Sequence, residues 1–188
     1  MTTTEDLLDL TLAALIGPGC STNPATFATS AEHRVYRPGD WPIWDQQYPA
    51  TKLRVLSEDM QTDGKGGLIF TVNATVRIIS QVSAPASDED GGGAAAEAAL
   101  WKLARQNMTA VVNSYPLTGK LQQIPFIRSA LTFTSDGETH LAGIQTDIGM
   151  QFMQSEEDFA PLASAPLEEI SAEVTNLTGV GLTISLSQ

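Results

Sequence analysis

The chain has 188 residues, 42% of them hydrophobic, and a net charge of −12. That length suits one domain with a genuine core, and no apolar run approaches the length of a membrane-spanning helix. One cysteine, Cys20, and two histidines, His33 and His140, exclude an internal disulfide framework and leave little from which to build a metal centre.

The charge is unevenly spread. All ten Lys and Arg lie at or before Arg128, whereas residues 129–188 hold nine acids and no base. Phosphate neutralisation needs clustered Lys and Arg, so this balance argues against wrapping nucleic acid. It suits a surface that meets a basic partner or avoids sticking to DNA, or a solvated acidic face that keeps the protein soluble. The acidic start lacks the basic and apolar regions of a signal peptide, and residence in a cytoplasm is expected.

Residues 5–16 are expected to form a helix. Thr4 can cap it, Glu5 and Asp6 suit its positive end, and Leu8, Leu12, Leu15 and Ile16 make an apolar stripe. Gly17-Pro18-Gly19 stops it, and a small, polar stretch follows. Arg34-Val35-Tyr36 predicts a short strand before the turn signal Arg37-Pro38-Gly39-Asp40. Trp41 and Trp44 flank Pro42 and Ile43, and either form a peptide-binding or subunit-contact patch or roof the helix–sheet core.

A strand is expected over residues 51–57, then a polar, glycine-bearing hinge over 61–67 that includes Asp63 and Lys65. Residues 68–78 alternate without a break: Leu68, Phe70, Val72, Ala74, Val76 and Ile78 share a face opposite Thr71, Asn73, Thr75 and Arg77. Such a run predicts a sheet with one buried and one polar face, paired as a hairpin with the preceding strand.

The acidic, glycine-rich stretch 87–93 precedes a helix expected over residues 94–114. Its docking face is read as Leu100, Leu103, Ala104, Val111 and Tyr115, with Pro116 closing it. Gly91–Gly93 lacks the GxxxxGK[ST] pattern of a phosphate loop and reads as a surface joint. Residues 127–134 alternate again, with Ile127, Ser129, Leu131 and Phe133 on one face. An Asp136-Gly137 turn leads to a returning strand over 139–153, where Ala142, Ile144, Ile148, Met150 and Phe152 face the core. Glu156, Glu157 and Asp158 open an extended acidic linker, and residues 170–174 and 182–186 predict two short strands too small for a core of their own. The expected fold class is α+β, a mainly antiparallel sheet packed against two helices, with residues 1–153 as the domain and 154–188 as linker and C-terminal β extension.

Chemistry-bearing motifs are sparse. His140 falls on the apolar face of its strand and reads as a half-buried core histidine, while His33 reads as a surface residue. Cys20 has no histidine at a recognisable spacing, and the carboxylate runs 88–90 and 156–158 lack the ligand alternation of a calcium loop. No catalytic, cofactor or metal residues are expected, and the chain is read as a non-enzyme.

The element order resembles that of the tail terminator and tail-completion proteins of long-tailed bacteriophages, the group typified by lambda minor tail protein U. The resemblance spans about residues 5–153. It rests on the stretch from Val35-Tyr36 to Trp41-Pro42, the hairpin 53–79, the helix 94–114 and the hairpin 127–153, while residues 161–188 depart from the smallest members. It implies a structural virion protein that assembles as a hexameric ring at the head-proximal end of the tail and caps the tube. Implied partners are other copies of itself, the tail tube protein and the head connector or neck protein, with DNA passing through the lumen without specific binding and no membrane involved. It implies subunit contacts on sheet edges, at the hinge with Asp63 and Lys65, and in the acidic stretch Glu156, Glu157 and Asp158, together with Trp41 and Trp44. An acidic lumen built from residues 129–188 is a further expectation. A neck or head–tail joining protein, a tail-tube protein, or a small hydrolase or ligand-binding domain are the competing expectations.

Overall fold

The computed structural model describes residues 2–18, 26–37, 48–62, 69–85, 93–136 and 139–159, and for 84–85, 132–136 and 139–141 the backbone alone. The chain divides into a compact unit over Met1–Asp158 and a second over Phe159–Gln188. Of the second, only Phe159 is described, so the expected strands at 170–174 and 182–186 lie outside the described residues.

The first unit is α+β, as expected. Its elements run α1 (Thr4–Ile16), β1 (Val35–Tyr36), β2 (Ala50–Thr62), β3 (Phe70–Pro85), α2 (Gly93–Val112), the single turn α3 (Tyr115–Thr118), β4 (Ile127–Asp136) and β5 (Thr139–Gln154). The strands form one sheet in the order β1-β2-β3-β5-β4. Only β1 is parallel to its neighbour; every other pairing is antiparallel.

The long alternating segments are the two central strands. β3 and β5 pair without irregularity from Phe70↔Gln154 to Pro85↔Thr139. Val72, Ala74, Val76 and Ile78 of one strand, and Ala142, Ile144, Ile148, Met150 and Phe152 of the other, are buried on the same face. Helix α2 lies over these two strands, and α1 packs beside it over β2. Leu7, Leu15, Leu53, Leu100 and Leu103 interleave with the strand residues in one core. Burying a leucine of this size contributes about 1.5–3 kcal/mol, so this seam carries most of the fold's apolar stabilisation.

Several local expectations are corrected. The cap of α1 is Thr3 rather than Thr4. The Thr3 side chain accepts from the Asp6 N–H at 3.1 Å, and the Asp6 carboxylate accepts from the Thr3 N–H at 2.9 Å, a reciprocal capping box. The buried seam of α1 is Leu7, Leu8, Thr11 and Leu15, with Leu12 and Ile16 only partly buried. Thr11 is tolerated inside because its hydroxyl donates to the Leu7 carbonyl at 2.6 Å. Gly17 ends the helix at φ 70°, where a Cβ would also come 2.9 Å from the Ala28 Cβ. Helix α2 stops at Val112, and the chain restarts as α3 with Pro116 in its first turn. Tyr115 is therefore out of phase with the docking face and 83% exposed.

Strand β2 continues to Thr62, through the first residues of the expected hinge, whose remainder lies outside the described residues. A bulge between Val55 and Ser57 reverses its alternation, sending Ser57 and Asp59 to the face opposite the helices. β4 alternates as expected, but α2 covers β3 and β5 and leaves it unroofed, so Ile127 and Ser129 are exposed. The acidic linker begins not as extended chain but as a 3₁₀ turn, Glu156–Phe159, closed by Asp158 accepting from the Ser155 N–H at 2.8 Å.

Candidate functional site

Because the strands alternate, every residue that does not face the helices falls on the opposite side of the sheet, and no helix covers that side among the described residues. The register sorts its side chains into rows that cross the sheet. One row reads Asp59, Asn73, Gln151 and Gln123. Gln151 donates to the Asn73 amide oxygen at 2.9 Å, and Gln123 donates to the Gln151 amide oxygen at 2.6 Å, tying the strands together above their backbone ladder. The next row holds Ser57, Thr75 and Gly149. There the Phe126 ring lies directly over Gly149, and the Gly149 N–H donates to the Phe126 carbonyl at 3.0 Å.

The third row is cationic. Arg54, Arg77, Asp147 and Arg128 stand side by side on β2, β3, β5 and β4. Adjacent strands lie about 4.8 Å apart, so the row spans roughly 14 Å. Arg77 grips Asp147 with both arms of its guanidinium, Nε to Oδ1 at 2.6 Å and Nη2 to Oδ2 at 2.8 Å. The hydrogen bonds from Arg77 hold the Asp147 carboxyl below the usual carboxylate range, against some desolvation, and the charges of Arg128 and Arg54 push it further the same way. Arg77 is raised in turn by its hydrogen bond to Asp147. Arg128 sits over the Phe126 ring at 4.6 Å from the centroid, which keeps its guanidinium close to the face. Lys52 occupies the following row beside Ile79.

Lys52, Arg54, Arg77 and Arg128 thus place four of the chain's ten bases on one sheet face, against Asp59 and Asp147. The net charge of −12 concealed this. Each base stands at the polar phase of its alternating strand, a signal the sequence carries, but only the register brings the strands' charges together. Such a face can hold anionic groups by charge and by the planar donor forks of its arginines.

Among the described residues the sheet also has two open edges. β1 covers β2 only at Thr51 and Lys52, so beyond Lys52 no described strand flanks β2 on that side. β4 is the other terminal strand. Leu56, Met60, Ile69 and Met153 are each 43–46% exposed, Leu56 at the bulge of β2, Met60 near its end on the helix side, Ile69 just before β3 and Met153 near the end of β5 on the open face. Exposed apolar side chains beside an open edge are what a protein contact buries.

Of the residues singled out from sequence, Trp41, Trp44, Asp63 and Lys65 lie outside the described residues, as do Cys20 and the side chain of His140. Glu156, Glu157 and Asp158 fall together in the 3₁₀ turn after β5, with the two glutamates exposed. His33 is exposed, its ring 6.4 Å from that of Phe27. Trp101, 46% exposed on α2 with its indole N–H donating to Glu97 at 3.3 Å, was not singled out. A shallow recess bounded by Thr2, Asp6, Asp9, Leu10 and Lys120 has its carboxylates engaged, Asp6 by Thr3 and Asp9 by Arg37. Among the described residues no three His, Cys, Asp or Glu group together to hold a metal, and no helix is long and apolar enough to cross a membrane. Neither a protein-family model nor a curated protein matches the sequence.

Proposed function

We propose that the chain is a structural subunit of the tail terminator kind, a virion protein that closes into a ring on the head-proximal end of a phage tail tube. The ring ends tube growth and offers its other face to the head connector or neck protein, while DNA passes through its lumen without being held. The observation that carries the reading is the placement of the open surfaces. Among the described residues, one sheet face is roofed by helices, the other is uncovered, and two free edges lie on opposite sides of the unit. Two different patches on opposite sides of one subunit are what a closed ring uses, because its contacts are heterologous. The chain order of α1, short strand, hairpin, α2 and closing hairpin is also the order on which the resemblance rests.

The expected acidic lumen is narrowed. Of the acids in residues 129–188 whose side chains are described, Asp147 is neutralised by Arg77 on the open face, and the others, Glu156, Glu157 and Asp158, all lie in one turn.

Native mass measurement with negative-stain imaging, alone and with polymerising tube protein, tests the reading. Closed hexameric rings that sit at one tube end and stop elongation are the expected result. Filaments formed by the chain alone would assign it to the tube instead. A monomer at high concentration that leaves tube length unchanged would refute any ring-forming role.

A further inference from the structure

We propose that the arginine row of the open sheet face receives the acidic turn of a second copy of the chain, with Glu156 and Glu157 of one copy at the Arg128 end of the row of the next. The inference rests on the ring reading and assigns its heterologous contact to named residues.

Charge complementarity selects the occupant. Copies with a net charge of −12 repel one another, and assembly needs a patch of opposite sign. The four bases around Asp147 form such a patch, held in place by the Arg77–Asp147 clasp and by Phe126 beneath Arg128. Glu156 and Glu157 are adjacent acids on one turn. Both are exposed, and the turn that displays them is fixed because Asp158 caps the Ser155 N–H.

Geometry makes the contact intermolecular. Asp147 and Gln154 are seven residues apart on the same unbroken strand, about 23 Å at the rise of a β-strand. The turn follows Gln154 at the far end of the sheet, beyond the reach of the row in its own chain. Each copy therefore carries one acidic donor and one basic acceptor well separated along the sheet, an arrangement that lets copies link head to tail. A nucleic acid would also meet the row's charge, but the remainder of the chain repels it.

The test uses the full chain in sedimentation velocity at several salt concentrations. E156Q/E157Q and, separately, R128E should each weaken self-association about tenfold, with the parent's own association falling as salt rises. A mixture of R128E with E156K/E157K chains should form mixed assemblies that neither forms alone. Circular dichroism melts of every variant must match the parent, and R128E is chosen because Arg128 is the exposed member of the row. If the parent assembles and the variants assemble equally well, the contact is overturned while the ring reading stands. A parent that stays monomeric at every concentration and salt overturns the contact, and overturns the ring reading as well if it also leaves tube length unchanged. Salt-sensitive binding of a labelled DNA duplex that is lost in R128E would reassign the row to a phosphate polymer.

Discussion

The Arg77–Asp147 clasp allows a prediction that separates its two halves. Both side chains are about one-fifth exposed, 21% and 23%. Surface pairs contribute about 0–1 kcal/mol, whereas breaking a buried pair costs about 3–5 kcal/mol. A partly screened bidentate pair falls between, so Asp147→Asn should cost about 1–2 kcal/mol. For a domain of this size each kcal/mol moves the midpoint by about 2–4 °C, giving a loss of about 2–8 °C. Arg77→Met should cost less, since Asp147 keeps the favourable fields of Arg54 and Arg128. Asp147→Asn, by contrast, leaves three arginines in adjacent register positions with no anion between them.

Salt and pH give independent checks on the same pair. The cost of Asp147→Asn is largely repulsion among like charges, so raising ionic strength should shrink it. The folded-state value of Asp147 is depressed below the ordinary 3.8. Its contribution is therefore complete above the unfolded value and is lost only as pH falls below about 3.8 toward the lower folded value. Urea denaturation followed by circular dichroism should show a constant gap between parent and Asp147→Asn at neutral pH that closes in acid. An Arg77→Met penalty equal to or larger than that of Asp147→Asn, or a gap indifferent to salt, would refute the picture of a cationic row organised around one anion.

Gly149→Ala should lower the melting midpoint, because its Cβ would meet Phe126 Cε1 at 2.6 Å and Cδ1 at 2.8 Å. Displacing the ring costs about 1–3 kcal/mol, and adding Phe126→Ala should recover part of the loss in a double-mutant cycle. Asn107→Ala should destabilise by about 1–3 kcal/mol, since the buried amide donates to the Ser80 hydroxyl at 2.8 Å; an equilibrium urea titration measures it. Leu103→Ala removes a fully packed side chain between α2 and the sheet and should cost about 2–5 kcal/mol by the same titration. Thr3→Ala should let the Asp6 carboxyl, now lowered by hydrogen bonds from Thr3, return toward 3.8 in an NMR titration.

Periodicity carried what is local in this fold. The alternation of β3 and β5 and the Leu100, Leu103, Ala104, Val111 seam of α2 are each set by one segment's burial on one side, and the sequence displays that directly. The failures share a cause in that each depends on something that hydrophobic spacing alone does not display. Thr11 is buried because its hydroxyl bonds back to Leu7, so a polar residue hides in an apolar seam. Tyr115 is exposed because the helix ends before it, although its spacing continues the pattern. The alternation of β4 is real, yet whether its apolar side is buried depends on where α2 lies. The bulge in β2 inverts a phase that residues 51–57 alone display as regular.

The arginine row belongs to the same class of nonlocal features and changes how the composition should be weighed. Net charge is a sum over the whole chain, but a partner feels charge through a Debye length of about 8–10 Å. A row roughly 14 Å wide therefore presents its own sign to whatever sits on it, whatever the total. The arithmetic of −12 argues against long-range attraction to polyanions. It does not argue against a short acidic segment docking on that face, and the base-free stretch after Arg128 supplies Glu156 and Glu157 as such a segment. The imbalance between the two parts of the sequence then acquires a structural meaning. A donor and an acceptor of opposite charge, separated along one sheet, favour contact between unlike patches; a head-to-tail series of such contacts closes a ring, a reciprocal pair gives a two-fold dimer, and the mass of the assembly decides between them.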